Sequence, residues 1–153
     1  MTHRNLVEIG YKWALSRCGF AFKELSCVNA EIADVIGFNS NGTFLLEAKT
    51  SRADFIADKK KPFRCNPCIG MGDWRFFIVP KGLVKIEELP DMWGLIEVNE
   101  RYKSVITYNP FGKGNIYSNW KRCQKSHLAE NNLMYSALRR LHLRNRIEEI
   151  YQL

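Results

Sequence analysis

Three ionisable residues stand where chemistry could be done: Asp34, Glu47 and Lys49. Asp34 interrupts the run Ile32 to Phe38, which is apolar at both alternating positions, as in a strand buried on both faces. A carboxylate there is costly unless a cation or hydrogen-bond donors compensate it. Glu47 and Lys49 belong to the next run, where Phe44, Leu46 and Ala48 alternate with Leu45, Glu47 and Lys49. Between the runs, Asn39-Ser40-Asn41-Gly42 is turn chemistry, so the two strands form a hairpin. If all four residues make the loop, Phe38 pairs with Thr43 and the same register sets Asp34 opposite Glu47. If only Asn41-Gly42 turns, the pairing moves by two and side-chain parity is kept. Either register puts both carboxylates and Lys49 on one face.

Carboxylates facing each other across a hairpin repel unless positive charge lies between them. A divalent cation is the simplest source of that charge. Mg2+, or Mn2+ in its place, takes hard oxygen ligands, commonly one or two carboxylates completed by water and phosphate, and Asp34 with Glu47 supplies them. The backbone carbonyl of Ala48 offers a third ligand. Lys49, two residues past Glu47 and so on the same face, can orient a water and stabilise charge developing on a phosphate. A dication with a lysine beside it is suited to phosphodiester hydrolysis. Glu47 and Lys49 alone would read as a solvent-facing pair on an amphipathic strand. Asp34 within an apolar run weighs against that.

The elements that must position these residues are legible around them. Leu6, Ile9, Gly10, Trp13 and Ala14 have helical spacing, which predicts a first helix over about 6–18 with Gly19 as its C-terminal cap. Phe20 to Val28 predicts a strand ahead of the hairpin. Ser51 with Asp54 opens a charged helix from Arg52 to about Lys61, ended by Pro62 and buried through Phe55. Phe63 to Asp73 reads as loop, and Trp74 to Val79 as a fourth strand. Trp93 to Val98 and Lys103 to Tyr108 form a second hairpin, followed by turn-rich Asn109 to Gly114. From about Ser126, Leu128, Met134, Leu138, Leu141, Ile147 and Ile150 fit one amphipathic helix.

The 153 residues, 46% apolar and 12% aromatic, suit a single domain with a real core. No apolar run approaches the roughly 18 residues needed to cross a bilayer. Arg4 and Glu8 break the N-terminal segment, which therefore does not read as a signal peptide. A cytoplasmic location with no membrane partner is expected. The net charge of +7 draws polyanions, among which nucleic acid is the commonest, although such a surface also serves solubility.

Asp34 near the end of one strand, followed by Glu47-Ala48-Lys49 on the next, resembles the PD-(D/E)XK nuclease signature, with Ala33 in place of its proline. Glu47 to Phe55 with Asp58 and Lys59, Met71 to Phe77, and Trp93-Gly94-Leu95 are further similar to the MmcB-like group of DNA-repair and phage-borne members. The resemblance covers about residues 5–98. It implies an α/β, restriction-endonuclease-like core, a central mixed sheet flanked by helices, to which a C-terminal amphipathic helix is added. It implies hydrolysis of DNA with Mg2+ or Mn2+, in DNA repair or in the processing of phage and mobile-element DNA. It also implies that a glutamate of the first helix joins the metal site, for which Glu8 is the match. Glu8 reads equally as an acidic residue placed favourably in an early helical turn. Asp54 and Asp58 are read as a helix-start residue and a partner for nearby lysines, outside the catalytic set.

Lys59, Lys60, Lys61 and Arg64 follow the site closely and are candidates for holding phosphates, or equally a solvated face. Lys121, Arg122, Lys125 and the arginines of the last helix form a second basic set. Trp74, Trp93 and Trp120 offer stacking surfaces, with core packing favoured for the first two. Cys65-Asn66-Pro67-Cys68 has the spacing of a zinc knuckle, and Cys123 with His127 completes four Zn2+ ligands on paper. The distance along the chain between those pairs favours ordinary reduced cysteines, and Cys18 and Cys27 read as core. Two other functions stand beside the nuclease: a catalytically silent nucleic-acid-binding module, and a zinc-stabilised interaction domain. A homodimer is left open.

Overall fold

In the computed structural model, which describes residues 1–112 and 121–152, the first helix starts earlier than its apolar spacing suggests. Thr2 Oγ1 accepts the Asn5 amide, and Asn5 Oδ1 accepts the Thr2 amide in return. This reciprocal cap opens α1 at His3 and the helix runs to Leu15. Gly19 is not its cap. Ser16 closes α1, and the Gly19 amide donates to the Phe38 carbonyl, leading the chain into the sheet.

Strand β1 is only Phe20–Lys23, shorter than expected, because Glu24 takes a left-handed φ of 45° that ends it. Val35–Asn39 (β2) and Gly42–Ala48 (β3) form the hairpin, with Phe38 opposite Thr43 and Val35 opposite Leu46. The first of the two expected registers is therefore the one formed, closed by an Asn39–Gly42 pair. β4 (Trp74–Pro80), β5 (Trp93–Val98) and β6 (Ser104–Tyr108) match their apolar runs. Together they make a six-stranded mixed sheet in the order β1-β2-β3-β4-β5-β6. β1, β2 and β3 are antiparallel neighbours, β3, β4 and β5 are parallel, and β6 returns antiparallel to β5.

A parallel β3–β4 pair needs a crossover, and the charged segment after β3 provides it. α2 spans Arg52–Asp58, capped by the Ser51 hydroxyl, and stops before the three lysines. Pro62 does not simply end it. It starts a second short helix, α3 (Pro62–Cys65), where its missing N–H costs nothing, and a 3-10 turn follows at Pro67–Ile69. The stretch expected as loop thus holds two helical turns.

Strand alternation divides the core into two layers. Leu6, Val7, Trp13 and Ala14 of α1 pack on Val35, Phe44, Leu46, Phe76 and Ile78. Ile36, Leu45, Phe77 and Leu95 face the other way, against Phe55 of α2 and Leu133 of α4 (His127–Leu143). Trp74 and Trp93 are both core residues, one in each layer. Trp120 lies outside the described residues.

The last helix departs most from expectation. α4 ends at Leu143, and Ile147 and Ile150 belong to a separate 3-10 turn, Ile147–Tyr151. Only Ala129, Glu130 and Leu133 are buried, while Leu128 and Leu138 are 69% and 41% exposed. The first turns dock because Glu130 reaches between strands. Its Oε1 accepts the Thr43 hydroxyl at 2.7 Å and the Gly72 amide at 2.9 Å. Lys125 bridges Asp73 at 2.5 Å and Glu130 at 2.8 Å, so this lysine serves the fold rather than a phosphate. Gly72 has a φ of 90°, and a Cβ there would lie 2.6 Å from Leu45 Cβ, so only glycine fits beneath the clamp.

Candidate functional site

The layer against α2 and α3 holds the charged residues. Glu47 shares the parity of Leu45 on β3 and Lys49, one residue past the strand end, continues it, while Asp34, just before β2, shares the parity of Ile36. Asp34 sits just before β2 rather than inside it. Its Oδ2 accepts the Ala48 amide at 2.7 Å, which ties it to the end of β3 between Glu47 and Lys49. The backbone contact of Ala48 to Asp34 is thus made by its N–H. Lys49 closes the strand end through its amide, which donates to the Ile78 carbonyl at 3.1 Å.

Asp34 is an uncomfortable carboxylate. Burial, and then the charge of Glu47, push its pKa up to about 6, against the opposing pull of the Ala48 amide, Lys49 and His3. Its Oδ1 lies 3.4 Å from His3 Nε2, which lies 3.3 Å from Glu24 Oε1. These three residues are the one group of three or more His, Cys, Asp and Glu among the described residues whose ligand atoms lie within 4.8 Å of one another. The His3 and Glu24 side chains are 43% and 56% exposed, at the rim of the sheet end.

Glu47 and Lys49 are 2% and 4% exposed and do not stand alone. Lys49 Nζ lies 3.2 Å from Glu47 Oε2 and 3.0 Å from Asp58 Oδ1, with Asp58 itself 1% exposed. The Arg64 side chain, 2% exposed, faces three carboxylates: Glu31 at 2.7 Å, Asp58 at 2.7 Å and Glu47 at 3.1 Å. Lys61 reaches in from the rim to Asp58 at 2.7 Å. Burial opposes the charge of Lys49, yet Glu47 and Asp58 hold its pKa above the ordinary lysine value. Burial likewise pushes Asp58 up, but Arg64, Lys61 and Lys49 bring its pKa below the usual range. In Glu31 burial prevails over Arg64 and the pKa is raised. Glu47 Oε1, Asp58 Oδ1 and Arg64 Nη2 are buried within ion-pair distance of partners but make no hydrogen bond of good geometry.

Other candidates from the sequence fall elsewhere. Glu8 pairs with Lys23 at 2.6 Å, and that hydrogen bond is the main reason its pKa is lowered; His3 is the α1 residue that reaches Asp34. Lys59 and Lys60 face solvent, whereas Arg64 points inward and is already shared among carboxylates. Cys65 and Cys68 are exposed, with the Cys68 thiol directed at Gln124 Oε1. Cys68, Cys123 and His127 border one depression with Arg122 and Lys125, but their ligand atoms do not gather into a group of three. Burial pushes the Cys123 thiol up to about 11.

Asp58 is the residue that sequence reasoning left out and the fold brings in. Its signal was its distance from Phe55: three positions along a helix is one face, so a residue sharing the buried stripe with Phe55 points inward too. Glu31 had no such signal, because it lies in an irregular segment before β2.

No protein-family model and no curated protein matches the chain. Among solved structures, a protein of unknown function from Silicibacter pomeroyi is similar, with a TM-score of 0.52 and 22% identity over 87% of this chain and 80% of its own. That likeness concerns the fold alone. Among the described residues no helix is long and apolar enough to cross a membrane.

Proposed function

We propose that the chain is a Mg2+- or Mn2+-dependent nuclease of the PD-(D/E)XK class, acting on DNA. The observation that carries this reading is the meeting of Asp34, Glu47 and Lys49 on one sheet face at adjacent strand ends, with Asp34 bonded to the Ala48 amide. The succession of a helix, three antiparallel strands, a helical crossover and a parallel strand supports a restriction-endonuclease-like core.

Asp34 and Glu47 fit a hard dication. Both are carboxylates, burial and then the charge of Glu47 raise the Asp34 pKa, and Glu47 Oε1 makes no hydrogen bond. A dication bound there would polarise a phosphate and lower the pKa of an associated water. Lys49, held charged beside Glu47, stabilises negative charge that builds on the phosphoryl oxygens. Exposed Lys59 and Lys60, with Lys61 at the rim, attract flanking phosphates, helped by the net charge of +7.

One observation favours a second reading, a nucleic-acid-binding module without turnover: Lys49 and Arg64 already face both Glu47 oxygens. Cleavage assays separate the two. Plasmid DNA and a structured RNA are incubated with the purified chain and Mg2+ or Mn2+, alongside Glu47→Ala and Lys49→Ala variants checked for folding by circular dichroism. DNA nicking by wild type that falls to a small residual rate in both variants supports the nuclease. Binding without cleavage under either ion, or variants that cut as well as wild type, would overturn it.

A further inference from the structure

We propose that Asp58 is a positioning residue for Lys49, an inference that rests on the nuclease reading. Lys49 Nζ has two carboxylate partners on different elements, Glu47 on β3 and Asp58 at the end of α2. Glu47 has competing demands, since the oxygens that would bind a dication are the ones facing Lys49 and Arg64. An ammonium 4% exposed cannot turn to bulk water when Glu47 engages a cation. Asp58 is the partner that stays.

Its own placement is over-determined. Asp58 Oδ2 accepts from Arg64 Nε at 2.7 Å, and Oδ1 lies 2.7 Å from Lys61 Nζ and 3.0 Å from Lys49 Nζ. Arg64 is tethered from behind by Glu31 at 2.7 Å, and Glu31 Oε2 accepts the Met71 amide at 2.7 Å. One turn earlier on α2, Phe55 is buried edge-on against Phe77, which fixes the helix to the sheet. Three cations thus converge on a carboxylate that faces no solvent. Burying so many charges adds little net stability over an apolar core. Its return is a lysine ammonium fixed in position before substrate arrives.

The test measures kcat and KM for Mg2+-supported cleavage of plasmid DNA by the full chain and by Asp58→Asn, Asp58→Glu, Lys49→Ala and the Lys49→Ala/Asp58→Asn double variant. Each is first confirmed folded by circular dichroism. Asp58→Asn is expected to lower kcat by about one to two orders of magnitude with KM unchanged, because the ammonium loses its fixed partner. Asp58→Glu keeps the charge but shifts it by a methylene, and falls between wild type and Asp58→Asn. On the Lys49→Ala background the Asn substitution adds no further loss, since its effect runs through Lys49. A merely structural role would lower the unfolding midpoint and leave this coupling absent. If Asp58→Asn does not fold, Asp58→Glu against wild type decides. Wild-type kcat in either folded Asp58 variant overturns the proposal, as does an equal loss on both backgrounds. Wild type that cuts no nucleic acid, or Lys49→Ala that cuts as fast as wild type, overturns the nuclease reading and this proposal together. Full activity of Asp58→Asn beside a Lys49→Ala reduced to a small residual rate overturns this proposal alone.

Discussion

Asp34 accepts the amide hydrogen of Ala48 at 2.7 Å, so the carboxylate at the mouth of β2 is fixed to the backbone between Glu47 and Lys49. That hydrogen bond ties Asp34 to the strand end from which Glu47 and Lys49 project. It bridges two strand ends at which the regular ladder has stopped, the last pair being Val35 with Leu46. Strand ends are where a sheet can hold side chains at fixed positions while leaving one side open to a ligand.

That fixed position has a cost that pH reveals. The Asp34 pKa of about 6, raised first by burial and then by Glu47, lies above that of an ordinary aspartate, so the folded state holds the proton more tightly than the unfolded chain. Its contribution therefore favours folding at low pH, declines as pH rises between about 4 and 6, and is then a constant penalty of at most about 3 kcal/mol. In EDTA, Asp34→Asn should gain stability relative to wild type across this interval, as read from urea unfolding at pH 4, 5, 6 and 7. Adding Mg2+ should raise the midpoint of wild type at pH 7 more than at pH 5, and leave the variant unmoved. A difference between wild type and variant that does not change with pH would refute the assignment.

Arg64 makes a sharper structural prediction. Truncating it leaves Glu31, Glu47 and Asp58 buried without their shared cation. Arg64→Ala should cost about 3–5 kcal/mol, the range for breaking a buried ion pair by removing one partner. Arg64→Lys should recover little, because a single ammonium cannot face three carboxylates as the guanidinium fork does. Equilibrium urea denaturation at neutral pH measures both. A loss below about 1 kcal/mol for Arg64→Ala would show that the network rearranges to admit water.

What could be read from the sequence was what alternation records. Strand parity placed Asp34, Glu47 and Lys49 on one face whichever turn formed, and the hairpin register with Phe38 opposite Thr43 was one of two foreseen. Arg64 was misplaced for a physical reason. Next to Lys59, Lys60 and Lys61 it reads as one more solvated cation, and its burial depends on the turn that Pro62 starts and on Glu31, more than thirty positions away in sequence. The partner of Glu8 was equally hidden, since Lys23 on β1 lies fifteen positions away. Long-range ion pairs leave no periodicity in the chain.

The last helix tests how far apolar spacing alone can be trusted. Leu128 and Leu138 belong to the stripe that the sequence offers as a buried face, yet both are exposed, and burial is confined to Ala129, Glu130 and Leu133. The Glu130 contacts to Thr43 and Gly72 fix the helix rotation at its start, and polar bonding there decides which apolar residue meets Leu45 and Phe77. Leu133→Ala should therefore cost about 2–4 kcal/mol, as expected for emptying a core position. Leu128→Ala and Leu138→Ala should each change stability by no more than about 0.5 kcal/mol. Glu130→Gln, which keeps the shape but removes the charge facing Lys125, should weaken the clamp and lower the urea midpoint more than either exposed leucine does. If Leu138→Ala costs as much as Leu133→Ala, the distal half of α4 packs on the protein in solution and the helix is docked along its length.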